Sequence, residues 1–257
     1  MTLVIAHRGA SAERPEQTRA AYELAIEQGA DGVECDVRLT ADREVVCFHD
    51  PTTDRTLGMP GEIASLPLAT VRERGVLTLA DLIAILRAAQ RPLVLAIELK
   101  HPNPYGLELE AAVLRVLDEA GWDAAASAVE QVTVSLMSFN PLSIGALAAV
   151  PARHLMVLTS ELSVDDLDEG PLPAEAAEQL AAALAGGLQL IDAGMVGGAG
   201  PDVDFCRAHP ERVRGWIDAG RTVRVWTADT PEDVAYLVDL GVQQITTNVP
   251  ALVRRFL

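Results

Sequence analysis

The chain has 257 residues, 49% hydrophobic and 22% charged, a balance that supports a large buried core and excludes an intrinsically disordered protein. Its 20 Lys and Arg against 37 Asp and Glu give a net charge of −17, a field that repels nucleic acid and anionic membranes and favours a bound cation. Cys35, Cys47 and Cys206 are odd in number and lack CxxC spacing, which argues against a disulfide framework or a thiolate zinc site.

Short apolar runs at Leu3–Ala6, Gly32–Val37, Leu93–Leu99, Val132–Met137, Leu155–Leu158, Leu188–Ile191, Thr222–Trp226 and Gln244–Thr247 read as strands. They alternate with segments of helical period, the pattern of βα units around a parallel sheet. Ala21, Leu24, Ala25 and Gln28 share one helix face ahead of Gly29, where a left-handed terminal residue costs least. Thr78 with Asp81 and Thr230 with Asp233 have capping-box spacing, and Pro231 suits a first helical turn. Residues 51–78, Pro171–Pro173 and the Gly194–Gly200 run read as loops. The expectation is one domain over residues 1–257, an α/β single (β/α)8 TIM barrel with a short hairpin extension after the second strand.

That hairpin is required because Glu44–Phe48 follows Val37 too closely for a parallel crossover. Centring its turn on Ala41 and Asp42 pairs Leu39 with Glu44, Val37 with Val46 and Cys35 with Phe48, and returns His49 opposite Glu34.

The strand around Glu34 and Asp36 alternates, with Val33, Cys35 and Val37 on the face expected to pack against helices. The two carboxylates then face the barrel's interior or mouth, where ionised groups are costly unless neutralised by internal Lys and Arg or by a metal. Alternation in Leu93–Leu99 adds Glu98 to that side with Lys100 next in phase. Three hard oxygen ligands suit a divalent metal such as Mg²⁺ or Ca²⁺ better than Zn²⁺. His7-Arg8-Gly9 closes the first strand at the catalytic face of such barrels: a proton-exchanging imidazole, a fork for phosphate, and a residue that permits close approach. His49-Asp50 supplies a second histidine, so a general base and a general acid flank one carboxylate cluster. His101, His154 and His209 lack such a setting and read as surface or loop residues.

These residues resemble the glycerophosphodiester phosphodiesterase family, metal-dependent barrel enzymes that release glycerol 3-phosphate and an alcohol. The resemblance rests on His7-Arg8-Gly9, Pro15-Glu16-Gln17-Thr18, Glu34-x-Asp36, His49-Asp50 followed by Arg55-Thr56, Ile97-Glu98-Leu99-Lys100, Ser138-Phe139-Asn140 and Trp226-Thr227. It implies that His7 and His49 are the acid/base pair, that Glu34, Asp36 and Glu98 bind the metal, and that Arg8 with Lys100 grips phosphate. It implies further that Phe139 and Trp226 line the substrate's alcohol or glycerol side. Three positions depart from the family pattern: Gln17 stands where Asn is usual, Asp229 ends a Trp-Thr-Ala-Asp in place of Trp-Thr-Val-Asn, and Asn248 replaces an Asp. The short residue 51–78 segment implies a compact cap.

Two alternatives belong to other classes: a non-catalytic barrel that binds glycerophosphodiesters, and a metal-dependent sugar isomerase or aldolase, since acidic barrel sites also stabilise enediolates. Met1–Gly9 has no basic leader region, and the residue 131–152 stretch without Asp, Glu, Lys or Arg is interrupted by Thr133, Ser135, Ser138, Asn140 and Pro141. The expectation is therefore a cytoplasmic protein with a small-molecule partner, no stable membrane association and no nucleic acid.

Overall fold

The computed structural model describes residues 2–161 and 174–257, with side chains from residue 178 in the latter segment. The expected loop at Pro171–Pro173 lies outside the described residues. Ten strands are present among the described residues: β1 (Leu3–Ala6), β2 (Gly32–Leu39), β3 (Val45–Cys47), β4 (Leu93–Leu99), β5 (Ala128–Val129), β6 (Val132–Ser138), β7 (Leu155–Thr159), β8 (Gly198–Pro201), β9 (Thr222–Val225) and β10 (Gln244–Thr247). Eight of them run parallel in the order β1-β2-β4-β6-β7-β8-β9-β10, and β10 pairs back onto β1 to close a barrel. β3 and β5 are antiparallel additions to β2 and β6.

Side-chain alternation divides the core into two layers. Ile5, Ala96, Met137, Met156 and Leu158 fill the barrel interior, while Val4, Val33, Cys35, Val37, Leu95, Ile97 and Val223 face the surrounding helices. Helix Arg19–Glu27 starts at Thr18, whose hydroxyl accepts from the Ala21 N–H. Helix Leu79–Ala88 carries the Thr78–Asp81 capping box, and Thr230 accepts from Asp233 N–H at the start of Pro231–Leu240. Each fixes where a strand's outgoing loop enters its helix.

Four expectations fail locally. Leu188–Ile191 is the C-terminal part of helix Ala174–Asp192, and the sixth barrel strand is Gly198–Pro201, inside the glycine run expected to be a loop. That strand carries glycine because space is missing: a Cβ on Gly198 would lie 2.8 Å from Met156 Cε, and one on Gly200 would lie 2.5 Å from Leu158 Cδ2. The hairpin register is also shifted by one residue, with Val37 opposite Cys47, Arg38 opposite Val46 and Leu39 opposite Val45. Its turn is longer than expected, closed by Thr40 N–H to Glu44 O and passing through Arg43 at φ 65°. Residues 51–78 are not wholly irregular: short helices at Asp54–Leu57 and Leu68–Arg72 build a small cap over Val46, Phe48, Ile63, Val71 and Val76.

Candidate active site

The C-terminal ends of β1, β2, β4 and β10 converge on one cluster. Asp36 and Glu98 are Cα partners across β2 and β4, and Glu34 lies two residues earlier on the same face as Asp36. One oxygen from each of these three acids lies within 4.8 Å of the other two. Glu34 Oε1 and Asp36 Oδ1 are buried without a hydrogen-bond partner, an unsatisfied arrangement that a hard divalent cation would complete. The donor set is all carboxylate oxygen, which fits the expected Mg²⁺ or Ca²⁺.

β1 delivers His7, Arg8 and Gly9 next to that cluster. Arg8 (φ 57°) and Gly9 (φ 84°) are both left-handed, and a Cβ on Gly9 would stand 2.6 Å from the Ala21 carbonyl carbon. Glycine there lets the chain turn under helix Arg19–Glu27. The turn aims Arg8 N–H at Glu34 Oε2, 3.0 Å away. The Arg8 side chain bridges Glu16 Oε1 (3.1 Å) and Asp36 Oδ2 (2.9 Å), the latter as an ion pair whose N–H is not aligned on the oxygen. Lys100 Nζ lies 2.8 Å from Glu98 Oε1 and 3.6 Å from Asp36 Oδ1.

These neighbours divide the acids. Burial and the adjacent Asp36 charge raise the Glu34 carboxyl well above the usual carboxylate range. Asp36 is equally buried, but Arg8 and Lys100 outweigh that cost and hold it well below its ordinary value. Lys100 is raised despite burial because Glu98 and Asp36 stabilise its charge. From β9, buried Arg224 is held on Gln244 Oε1 (2.7 Å) and Ser135 Oγ (3.0 Å), a further cation that feels the charge of Glu34.

Both expected histidines are at the site. His7 Nδ1 lies 2.8 Å from Asn248 Oδ1, and His7 Nε2 lies 3.9 Å from Glu34 Oε2. Burial, with Arg8 close by, pulls His7 down to about 4, so it is neutral near pH 7. His49 does not stand opposite Glu34, because of the register shift, but Phe48 N–H to Asp36 O pins the chain just before it. Its Nδ1 lies 2.7 Å from Asp50 Oδ1, and Asp50 is held in turn by Arg55. Arg55 also grips Glu16 through both terminal nitrogens, tying the loop after β3 to the loop after β1.

Phe139 and Trp226 meet edge to face, with centroids 5.6 Å apart at 89°, and form a half-buried apolar wall at the barrel mouth. Trp226 Nε1 is fixed on Gly200 O at 2.9 Å. The remaining histidines are elsewhere: His101 pairs with Glu110 (2.7 Å) and His209 with Glu161 (2.9 Å). Sequence reasoning missed Ser11, Asp50, Arg224 and Asp229 as members of the site. Asp50 carried a signal in its adjacency to His49, and Asp229 in its departure from the family's Trp-Thr-Val-Asn; Ser11 and Arg224 carried none.

The sequence matches the profile of the glycerophosphoryl diester phosphodiesterase family over residues 7–252. The chain belongs to that family. A probable glycerophosphodiester phosphodiesterase 1 of Mycobacterium tuberculosis strain H37Rv is 33% identical over 273 aligned positions, covering 99% of this chain and 92% of the relative. The solved structure of a putative glycerophosphoryl diester phosphodiesterase from Agrobacterium tumefaciens superposes with a TM-score of 0.75 at 26% identity, covering 99% of this chain and 96% of that one. An Oleispira antarctica phosphodiesterase, solved with its product sn-glycerol 3-phosphate, superposes with a TM-score of 0.75 at 23% identity over 100% of this chain and 96% of that one, which speaks for the fold. Within this glycerophosphodiester phosphodiesterase-family barrel, two of the three departures touch each other. Asp229 and Asn248 are hydrogen-bonded side chain to side chain, while Gln17 is bonded to Asp36.

Proposed function

We propose that this protein hydrolyses glycerophosphodiesters to glycerol 3-phosphate and an alcohol. The observation that carries the reading is the meeting of a three-carboxylate cluster, two histidines and two partly buried cations at the catalytic end of a barrel of this family. An isomerase or aldolase would have less use for two imidazoles and two cations around one acid cluster.

Glu34, Asp36 and Glu98 would hold Mg²⁺ or Ca²⁺, which when bound supplies Lewis-acid neutralisation of a phosphate oxygen. Arg8 and Lys100 add fixed positive charge beside it, and Arg8's planar fork suits a phosphate oxygen pair. His7, neutral with one nitrogen held by Asn248, takes the proton of the attacking hydroxyl at Nε2. His49, its Nδ1 held by Asp50, gives a proton from Nε2 to the departing alcohol oxygen. Phe139 and Trp226 exclude water on the side where the organic group lies. No helix among the described residues is long and apolar enough to cross a membrane, and the free thiols of Cys35, Cys47 and Cys206 support a reducing, cytoplasmic setting.

The deciding experiment incubates the protein with glycerophosphocholine, glycerophosphoethanolamine and glycerophosphoglycerol, each with Mg²⁺, Ca²⁺ or chelator, and measures glycerol 3-phosphate. Release that depends on the metal supports the reading. Saturable binding of the diesters with no product under any metal would make the protein a binding barrel instead.

A further inference from the structure

The two departures that share a contact stand directly behind His7. Asn248 follows β10, and its amide is clamped from two sides. Its Nδ2 donates to Asp229 Oδ2 at 2.6 Å, and its Oδ1 lies 2.8 Å from His7 Nδ1 and 2.7 Å from the Ser11 hydroxyl. Asp229 is fully used as an acceptor, because its Oδ1 takes the Asn248 backbone N–H (2.7 Å) and the hydroxyl of fully buried Thr247 (2.8 Å).

An amide has one donor end and one acceptor end, so the orientation of Asn248 is not free. Turning it over would place its carbonyl oxygen 2.6 Å from Asp229 Oδ2, acceptor against acceptor, and would lose the donor that now meets that oxygen. With Nδ2 committed to Asp229, only Oδ1 faces the imidazole, and an oxygen can only accept there. Whenever the His7 ring carries a single proton, that contact places it on Nδ1 and leaves the lone pair on Nε2, the nitrogen 3.9 Å from Glu34 Oε2.

We propose that Asp229 and Asn248 are positioning residues that lock His7 in the Nδ1–H tautomer, keeping Nε2 unprotonated and aimed into the carboxylate cluster. The proposal rests on the reading of His7 as the proton acceptor in diester hydrolysis.

The near-isosteric variant Asp229→Asn is the sharpest probe. Thr247 and the Asn248 backbone N–H hold its carbonyl oxygen, so its new NH₂ faces Asn248 and forces that amide to turn over. Asn248 Nδ2 then donates to His7 Nδ1, and the imidazole proton moves to Nε2. Asn248→Asp instead sets two carboxylates face to face. The double exchange Asp229→Asn with Asn248→Asp restores a donor opposite an acceptor and returns an acceptor to His7 Nδ1.

The test measures kcat and KM for glycerophosphocholine in the full-length protein with Mg²⁺. The His7 tautomer is read in the same proteins from two-bond ¹H–¹⁵N correlations of ¹⁵N-histidine near pH 7.5. The expected result is Nδ1–H in the wild type and Nε2–H in Asp229→Asn, with kcat lower by about 10²-fold, the usual worth of a positioned proton-transfer group, and KM little changed. The double exchange should recover both the tautomer and most of kcat. An unchanged tautomer in Asp229→Asn, an unchanged kcat despite a switched tautomer, or a double exchange no better than the single variants would each overturn the proposal. If Asn248→Asp fails to fold, Asp229→Asn beside Asn248→Ala decides the same question. Failure of the underlying reading is distinguishable, because His7→Ala would then retain wild-type turnover whatever its tautomer had been.

Discussion

Gln17 and Asp36 are joined at two points: Gln17 Nε2 donates to Asp36 Oδ2 at 3.0 Å, and Asp36 backbone N–H donates to Gln17 Oε1 at 3.1 Å. Both are buried, and Gln17 reaches in from a left-handed backbone position at φ 56°. Gln17→Leu keeps the bulk but leaves an N–H and a carboxylate oxygen of Asp36 without that partner. The variant should lose about 1–3 kcal/mol of stability and bind Mg²⁺ more weakly, because Asp36 is no longer oriented. Thermal unfolding in chelator reads the first effect and calorimetric metal titration the second. Undiminished metal affinity would show that the pairing serves the fold alone.

A bound divalent cation should raise the melting temperature and chelator should lower it, since an ion that binds only the folded cluster stabilises by mass action. Glu34→Gln and Glu98→Gln should each weaken affinity sharply. The raised Glu34 carboxyl adds a sign: its proton contributes stability to the metal-free protein below its ordinary value of 4.5, and that contribution is lost as pH rises through the raised folded value. Metal binding in the intervening range should therefore release protons and tighten as pH rises. Calorimetry in two buffers of different ionisation enthalpy checks this, and a binding enthalpy independent of buffer would contradict it.

Arg8→Lys keeps the charge but cannot bridge Glu16 and Asp36 while offering two parallel donors to a phosphate. Turnover should fall and KM should rise. If Arg8 only braces the two acids, the melting temperature would drop with kcat/KM unaltered, so both are measured on the same preparation.

His7→Ala and His49→Ala should each lower kcat by about 10²–10⁴-fold, and the double variant should lose far less than the product of the two. A p-nitrophenyl diester needs little help at its leaving group, so it should rescue His49→Ala and not His7→Ala. Selective rescue of His7→Ala would exchange the two roles.

His7 is held at about 4 against an ordinary 6.5, so it stays neutral as pH falls through 6 and should set no acidic limb near 6.5. A dication beside it can only push its value lower. The acidic limb of kcat, measured at saturating Mg²⁺, is expected below about pH 5. For stability the unfolded chain takes up the histidine proton first, so His7 reduces stability as pH falls from 6.5 towards about 4. This slope should be absent in His7→Ala, as urea titrations across that range would show.

The amino-acid sequence by itself determined the barrel and the gathering of three carboxylates on one side of its strands. Period-two alternation placed Glu34, Asp36 and Glu98 on one side, and apolar runs located seven of the eight barrel strands, because those signals depend on neighbours only a few residues apart. Gly198–Pro201 carried no such signal. Its strand is small-residued because Met156 and Leu158 occupy the interior beside it, a fact about β7 and not about the segment itself. Leu188–Ile191 looked like a strand because Leu188, Leu190 and Ile191 make a short apolar run, which by itself does not tell a buried helix from a buried strand.

The tertiary structure alone decided the hairpin register, where a longer turn through Arg43 moved His49 by one position. It alone brought Asn248 and Asp229 behind His7, across 241 residues of chain in one case. A side chain's hydrogen-bond role depends on which end of a partner's amide faces it. That orientation is set by a third residue, Asp229, from the loop after β9, and closure of β10 onto β1 is what brings the three together.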